Sequence, residues 1–179
     1  MGARTNGANA NANANANANA NANAKAAQGD ILTPEEVLKM VPQQEPFRFI
    51  DEIVELDEEH IVARYTFSPE ADFYRGHFPG NPITPGVILI ETAAQAGVVA
   101  FGIYLYARET SRDEVDKLLT IFTDCNIDFS GTVKPGDRVT TTGRIKFWRR
   151  KKLRAVFEMK TDDGTIVCSG ELSGMGVPR

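Results

Sequence analysis

The sequence has few of the residues from which metal sites and disulfide frameworks are built. Its 179 residues include two cysteines, Cys125 and Cys168, and two histidines. The spacing of the cysteines matches no zinc motif and no disulfide framework. We therefore expect both thiols to be reduced and the protein to be cytoplasmic.

The sequence also lacks an excess of positive charge. Its formal net charge is −4 at neutral pH, and its pI is about 5.3. A nucleic-acid-binding domain usually carries a basic surface, because phosphate contacts supply much of its affinity. The composition therefore argues against nucleic acid as a partner.

One long apolar run resembles a membrane span. The segment GVILIETAAQAGVVAFGIYLYA, residues 86–107, is long enough to cross a bilayer. Glu91 and Gln95 lie inside it, however, and a carboxylate at the centre of a bilayer is costly. We predict a buried core helix and no membrane span.

Residues 6–24 are almost entirely alternating Asn and Ala. Such a segment cannot bury enough apolar surface to offset the entropy lost on ordering. It also lacks the continuous apolar core of a signal peptide. We predict that residues 1–28 are a disordered or artificial leader and that residues 29–179 form a single domain.

The remaining sequence predicts one long helix and several strands. A short helix at 32–42 begins with Thr33, Pro34 and Glu36, which form a capping-box pattern, and it ends at Pro42. A charged linker follows the long helix at 109–117. Strands are predicted at 47–56, 59–67, 118–129, 138–148, 152–161 and 165–176. Short turns such as KPGD (134–137) make the later strands antiparallel, so the fold class is α+β.

The segment GHFPGNPITPGVILIE, residues 76–91, combines a turn with the start of the long helix. Three prolines and three glycines surround His77, which limits the freedom of its backbone. Pro85 suits the opening of a helix, and the first amides of that helix lack intrahelical partners. A histidine, a helix start and the carboxyl of Glu91 are thus gathered within 16 residues.

This motif resembles the signature of the (3R)-3-hydroxyacyl-[acyl carrier protein] dehydratases of fatty-acid synthesis. The resemblance extends over roughly residues 30–176 and implies the hot-dog fold, an antiparallel sheet wrapped around one long helix. A sister group of dehydratase-isomerases carries Asp where this chain has Glu91, so the plain dehydratase branch is favoured. The matching residues are His77, Pro79, Gly80, Pro82, Pro85, Gly86, Glu91 and Gln95.

Dehydration of a 3-hydroxyacyl thioester to the trans-2-enoyl thioester needs a base, an acid and a donor for the carbonyl oxygen. His77 can be the base, because imidazole titrates near neutral pH. Glu91 can be the acid or can anchor the hydroxyl, since apolar surroundings favour its neutral form. By resemblance, the Gly86 backbone N–H holds the thioester carbonyl. We expect Gln95, Phe78 and Pro85 to complete the substrate-binding site, with Gln95 hydrogen-bonded to Glu91 or to a water; His60 is given no role.

The resemblance also implies partners. The substrate is carried by acyl carrier protein or coenzyme A, no metal or redox cofactor is required, and the protein is a homodimer or a trimer of dimers. His77 and Glu91 of one site come from different chains. We interpret Phe73, Tyr74 and Phe78 as part of the dimer interface and acyl tunnel.

The basic segment RIKFWRRKKLR, residues 144–154, is either a solvated hairpin or a docking surface for an acidic carrier protein or for a phosphopantetheine phosphate. Two segments depart from the family pattern: Gln43, Gln44 and Glu45 replace a usual His-Arg pair, and 128–131 lacks its usual basic residues. These changes do not touch the residues proposed for catalysis. They leave undecided whether the substrate is carried by a carrier protein or by coenzyme A. Two other functions remain: a hot-dog thioesterase, in which the carboxylate activates water, and a non-catalytic acyl-binding subunit.

Overall fold

The computed structural model describes residues 29–179, so the predicted leader at 1–28 lies outside it. Its helices are α1 (Pro34–Met40), α2 (Gly86–Ala107) and α3 (Arg112–Asp116), with a 3-10 turn at Asp72–Arg75. Its strands are β1 (Glu52–Leu56), β2 (His60–Thr66), β3 (Leu118–Phe129), β4 (Arg138–Arg149), β5 (Lys152–Thr161) and β6 (Ile166–Pro178).

The six strands form one sheet in the order β1-β2-β4-β5-β6-β3. Every pair of neighbouring strands is antiparallel, as the short turns predicted. The third strand in the sequence lies at the far edge, where it pairs with β6 over residues 118–129. The sheet wraps around α2, and the predicted hot-dog architecture is confirmed.

Helix α2 is buried because its sequence is apolar on nearly every side. It is long and apolar enough to cross a membrane, yet 72% of its most apolar window is buried inside the domain, as expected of a core helix. Its small residues allow the sheet to come close: a Cβ added at Gly143 on β4 would lie 3.2 Å from the Gly97 Cα. The middle stretch, Gln95–Ala100, has π-helical geometry.

Helix α1 begins as its sequence predicts. The Glu36 amide donates to the Thr33 hydroxyl, and the Glu36 carboxylate accepts from the Thr33 amide. This reciprocal capping box satisfies two amides that the helix itself cannot pair. Val37, on the inner face of α1, is fully buried in the core.

Two predicted boundaries were wrong. The first strand begins at Glu52 rather than at residue 47, because the backbone at Phe47 and Phe49 is hydrogen-bonded to the side chain of Gln95 instead of to a strand. The predicted linker at 109–117 contains helix α3, in which Val115 is buried.

Candidate active site

The loop that carries His77 is fixed by a tight turn. The Asn81 amide donates to the Phe78 carbonyl at 3.0 Å, with Pro79 and Gly80 between them. Gly80 has φ of +83°, a left-handed conformation that glycine adopts without strain. Proline followed by such a glycine is the pattern of a type II turn. The turn therefore sets the direction in which the chain leaves His77.

Hydrogen bonds hold the His77 backbone and ring. Its amide donates to the Phe73 carbonyl at 3.0 Å, and its carbonyl accepts from the Ile83 amide at 3.2 Å. The ring Nδ1 lies 3.1 Å from the Ile83 carbonyl oxygen. A carbonyl can only accept, so in the neutral ring Nδ1 carries the proton and Nε2 keeps its lone pair. The imidazole is thus oriented to take up a proton through Nε2.

Tyr74 anchors the same loop to the core. Its hydroxyl and the Thr84 hydroxyl are 2.6 Å apart, and both side chains are buried. Burial raises the pKa of Tyr74 above its ordinary value, which keeps the phenol neutral. The Thr84 amide also donates to the Val133 carbonyl at 2.7 Å. The loop is therefore tied down on both sides of His77.

Helix α2 starts beside this loop. Pro85 is the N-cap residue, and its carbonyl accepts from the amides of Ile88 and Leu89. Proline has no side-chain group to cap the helix, so the Gly86 and Val87 amides remain as donors at the positive end of the helix dipole. The geometry suits a ligand oxygen that carries negative charge.

Gly86 also leaves room for an aromatic ring. A Cβ added there would lie 3.1 Å from Cζ of Phe129, closer than ordinary van der Waals contact. Phe129 is the last residue of β3, and half of its surface is exposed. The ring and the helix start therefore form one wall of the candidate site.

Glu91 is oriented by Gln95. The Gln95 amide oxygen accepts from the Phe49 N–H at 2.7 Å, and its nitrogen donates to the Phe47 carbonyl at 2.8 Å. These backbone partners fix which way the carboxamide points. Its second N–H then donates to Glu91 Oε1 at 2.9 Å. Oε1 must act as an acceptor, so a proton on Glu91 resides on Oε2.

Glu91 opens into a small cleft between α2 and the edge strand β3. We call this space the Glu91 cleft; its free volume is about 110 Å³. It is lined by Gln43, Glu91, Ala94, Val98, Val99, Thr120 and Phe122. The Gln43 Oε1 atom is buried and has no hydrogen-bond partner within the described residues. A buried, unpaired amide oxygen beside a carboxyl is suited to a polar ligand group.

The structure does not bring His77 and Glu91 together within one chain. Across residues 29–179, they share no hydrogen bond, and His77 does not line the Glu91 cleft. His77 contacts the Ile83 carbonyl and the Phe78 ring, whereas Glu91 contacts Gln95. One chain thus carries His77 and Glu91 as two separate parts of a candidate site.

The residues predicted to complete the substrate-binding site differ in exposure. Gln95 is fully buried, and its amide bonds to three groups of its own chain, including the Glu91 carboxyl as predicted. Pro85 is buried and shapes the helix start. Tyr74, interpreted as part of an interface, is buried in its own core. Phe78 is 54% exposed and remains available for contact.

Sequence reasoning missed Gln43. It noted this residue only as a departure from the family pattern, and the 48 positions that separate Gln43 from Glu91 gave no sign that they share a cleft. One feature of the sequence could have pointed to it: a polar residue, Gln43, directly follows Pro42 at the end of α1.

Neither the buried cysteine nor the basic segment contributes a hydrogen bond to these groups. Burial raises the pKa of Cys168 to about 12, so its thiol is not a nucleophile. Within residues 29–179, no three side chains of the types that bind metals come together. Lys151 lies 4.9 Å from the Tyr106 ring centroid, which places the basic hairpin at the far end of α2. That is about 30 Å from Gly86 along the helix.

Residues 41–171 match the FabA-like domain. The chain belongs to this family. A 3-hydroxyacyl-[acyl-carrier-protein] dehydratase FabZ from Oenococcus oeni is 32% identical over 147 residues, which cover 79% of this chain and 96% of the relative. The enzyme of the same name from Bacillus velezensis is 33% identical over 149 residues, covering 80% and 96%. The predicted family membership is confirmed.

Solved structures share the fold at lower identity. The dehydratase heterocomplex ApeI:P from Xenorhabdus doucetiae is similar with a TM-score of 0.64 and 16% identity, covering 83% of this chain and 93% of that one. A thioesterase from Haemophilus influenzae gives a TM-score of 0.60 at 16% identity, with coverage of 85% and 95%. Because both kinds of enzyme have this fold, the fold alone does not select the reaction.

Proposed function

We propose that this protein dehydrates a (3R)-3-hydroxyacyl thioester, carried by acyl carrier protein, to the trans-2-enoyl thioester in fatty-acid synthesis. The observation that carries the proposal is the pair of oriented groups: the Gln95 amide fixes Glu91 Oε1, and the Ile83 carbonyl fixes His77 Nδ1. Each contact leaves the outer atom of its side chain, Oε2 or Nε2, to exchange a proton. The FabZ relatives support the same reaction.

His77 Nε2 removes a proton from C2 of the acyl group. The electron pair of that C–H bond becomes the C2=C3 double bond as the C3–O bond breaks. Glu91 Oε2 gives its proton to the departing hydroxyl, which leaves as water. The enzyme is left with a protonated His77 and an ionised Glu91, and proton exchange with solvent restores both groups.

The start of α2 stabilises the charge that develops in this reaction. Removal of the C2 proton moves negative charge onto the thioester carbonyl oxygen. The Gly86 amide lacks an intrahelical partner, so it donates a hydrogen bond to that oxygen. Losing a single donor of this kind typically slows a reaction by about a hundredfold to a thousandfold.

The complete site is formed by two chains. Strand β3 is an edge strand with exposed apolar side chains, and Phe122 on this strand lines the Glu91 cleft. An unprotected apolar edge is a surface for pairing with another chain. A second copy on this edge lies next to Glu91 and supplies its His77 loop. We propose a homodimer, or a trimer of such dimers, in the cytoplasm.

An assay of enoyl thioester formation tests this function. Purified protein is given 3-hydroxyacyl groups on acyl carrier protein and, in parallel, on coenzyme A. The absorbance of the enoyl product and the release of free thiol are followed together. Enoyl product without free thiol supports the dehydratase, whereas free thiol without enoyl product would establish a thioesterase. If neither enoyl product nor free thiol is detected, the non-catalytic acyl-binding subunit is the remaining function.

A further inference from the structure

The Glu91 cleft reaches Val98 along helix α2. From Glu91 the lining of the cleft follows one side of α2 through Ala94 to Val98. The same Val98 and the facing Thr120 also line a second space, which lies further along the helix between Gly102, Tyr106 and Trp148. We call this second space the distal compartment. Val98 therefore stands on the boundary between the two spaces.

Val98 packs directly on the sheet at this boundary. It is 1% exposed, and a Cβ built at Gly174 on β6 would clash with its Cγ1 atom. Glycine at position 174 is thus what allows Val98 to contact the backbone of β6. The same added Cβ would lie 3.1 Å from Thr120 Cγ2, so β3 closes the boundary from the other side.

The distal compartment is too small to hold an acyl tail while Val98 is in place. Its free volume is about 30 Å³, against about 110 Å³ in the Glu91 cleft. The smaller volume accommodates only one or two water molecules. Most of its lining is apolar, including Ile103 and Leu153, so an alkyl group would be compatible with it if the space were enlarged.

We propose that Val98 sets the length of acyl chain that this site accepts, with a limit of about eight or nine carbons. The proposal rests on the dehydratase function, which places C3 of the acyl group at Glu91. Val98 follows Glu91 by about two helical turns, or roughly 10 Å along the helix axis. A van der Waals contact with Val98 takes up about 4 Å of that distance. An extended chain advances about 1.2 Å per bond, so five or six bonds beyond C3 fit in the remainder.

Val98→Ala tests this limit. The substitution joins the Glu91 cleft to the distal compartment. We measure kcat/KM for 3-hydroxyacyl thioesters from about four to about sixteen carbons. The wild-type protein should lose at least tenfold in kcat/KM beyond about nine carbons. In Val98→Ala the ratio of long-chain to short-chain kcat/KM should rise by at least tenfold.

A matched control separates the length limit from a loss of packing. Val167→Ala removes the same two methyl groups from a valine that is 1% exposed and lines neither space. It should leave the dependence on chain length unchanged. Ala94→Leu should have the opposite effect, because it narrows the Glu91 cleft; the longest acyl chain that the site accepts should become shorter. A wild-type profile that is flat to sixteen carbons, or an unchanged Val98→Ala profile, would overturn the proposal.

A binding measurement tests the limit independently of catalysis. Saturated acyl-coenzyme A thioesters, which cannot be dehydrated, are added at a fixed concentration and the melting temperature is recorded. The rise in melting temperature should level off at about eight or nine carbons for the wild type and continue to longer chains for Val98→Ala. If the protein shows this binding pattern but dehydrates no thioester, the proposed reaction fails while the length limit stands. Binding that increases equally in both proteins would refute the limit.

Discussion

The side-chain amide of Gln95 connects Glu91 to the backbone that precedes β1. It donates to Glu91 Oε1 at 2.9 Å and to the Phe47 carbonyl at 2.8 Å, and it accepts from the Phe49 amide at 2.7 Å. Because all three contacts use one planar group, the carboxyl cannot rotate without breaking a buried hydrogen bond. Gln95 is therefore a positioning residue for the proposed acid.

Glu91→Gln should abolish most dehydration and keep the fold. The new amide oxygen can still accept from Gln95, but an amide cannot deliver a proton to the leaving hydroxyl. We expect turnover to fall at least about a hundredfold with little change in melting temperature. Turnover and melting are measured on the same samples. An active Glu91→Gln enzyme would remove Glu91 from the mechanism.

Glu91→Ala serves as the comparison for that experiment. It removes both the proton and the side-chain volume, so activity should be lost and stability should change as well. If Glu91 has a purely structural role, Glu91→Gln should have almost no effect on activity or stability. Glu91→Ala should then mainly lower the stability.

His77→Ala should reduce turnover at least about a hundredfold, the lower range for loss of a general base. The hydrogen bond from its ring to the Ile83 carbonyl is also lost, which costs about 1 kcal/mol of unfolding free energy. His60→Ala is the matched control, because His60 lies at the start of β2 and contacts Glu55 and Asp57 instead. Near-normal dehydration by a folded His77→Ala protein would contradict the assignment.

Gln95→Leu should destabilise the protein as well as slow it. Leucine has a similar size but leaves the Phe49 amide and the Phe47 carbonyl without their buried partner. Each unpaired group costs about 1–3 kcal/mol, so for the two groups we expect a loss of about 2–6 kcal/mol in chemical denaturation. Thr92→Val, whose hydroxyl bonds only to the Ile88 carbonyl of the same helix, should cost less than about 1 kcal/mol. Equal effects of the two variants would argue against the positioning role.

His60 should make stability depend on pH. Its ring hydrogen-bonds to Glu55 and lies close to Asp57, and these contacts raise its pKa above the ordinary value, although Arg144 opposes them. The raised pKa means that the stabilisation is complete below about pH 6.5, the value in an unfolded chain, and is lost as the pH rises through the higher folded value. The difference in unfolding free energy between wild type and His60→Gln should therefore shrink with rising pH. A difference that stays constant from about pH 5 to about pH 9 would refute this.

Ile121→Lys should separate the proposed dimer. Ile121 is 45% exposed on the edge strand β3, where a lysine disfavours pairing with another chain. We expect a monomer in sedimentation velocity and loss of dehydration, because one chain alone does not bring its His77 and Glu91 together. Val156→Lys places the same charge at an apolar residue, 37% exposed, on the interior strand β5, and should remain a dimer. A fully active monomer would end the shared-site hypothesis.

Local chemistry made much of this fold predictable. The all-round apolar sequence of 86–107 indicated a buried helix, and the glycine of KPGD occupies a position with φ of +88°. The capping box at Thr33 and Glu36 formed as its spacing suggests. Each of these features depends on residues that are close in the sequence, so the sequence pattern was enough to identify them.

The contacts that shape the candidate site were not predictable in the same way. Gln95 meets Phe49 across 46 positions, and it replaces strand pairing that the pattern of 47–56 had favoured. Val98 meets Gly174 only because β6 crosses the helix at that point. Such contacts depend on how the sheet wraps around α2, and no local period in the sequence encodes them.

The strand order has a consequence for how the chain acquires its structure. Among residues 29–179, strand β3 pairs only with β6, and Leu118 faces Pro178 at one end of that ladder. Pairing across about sixty residues is slow, because the entropy of closing the loop is lost before the stabilising contacts between the strands form. During synthesis β3 must wait for β6 to emerge, with Ile121 and Phe122 open to any other strand. Nascent chains that stop short of β6 therefore leave β3 without its partner and expose an aggregation-prone strand.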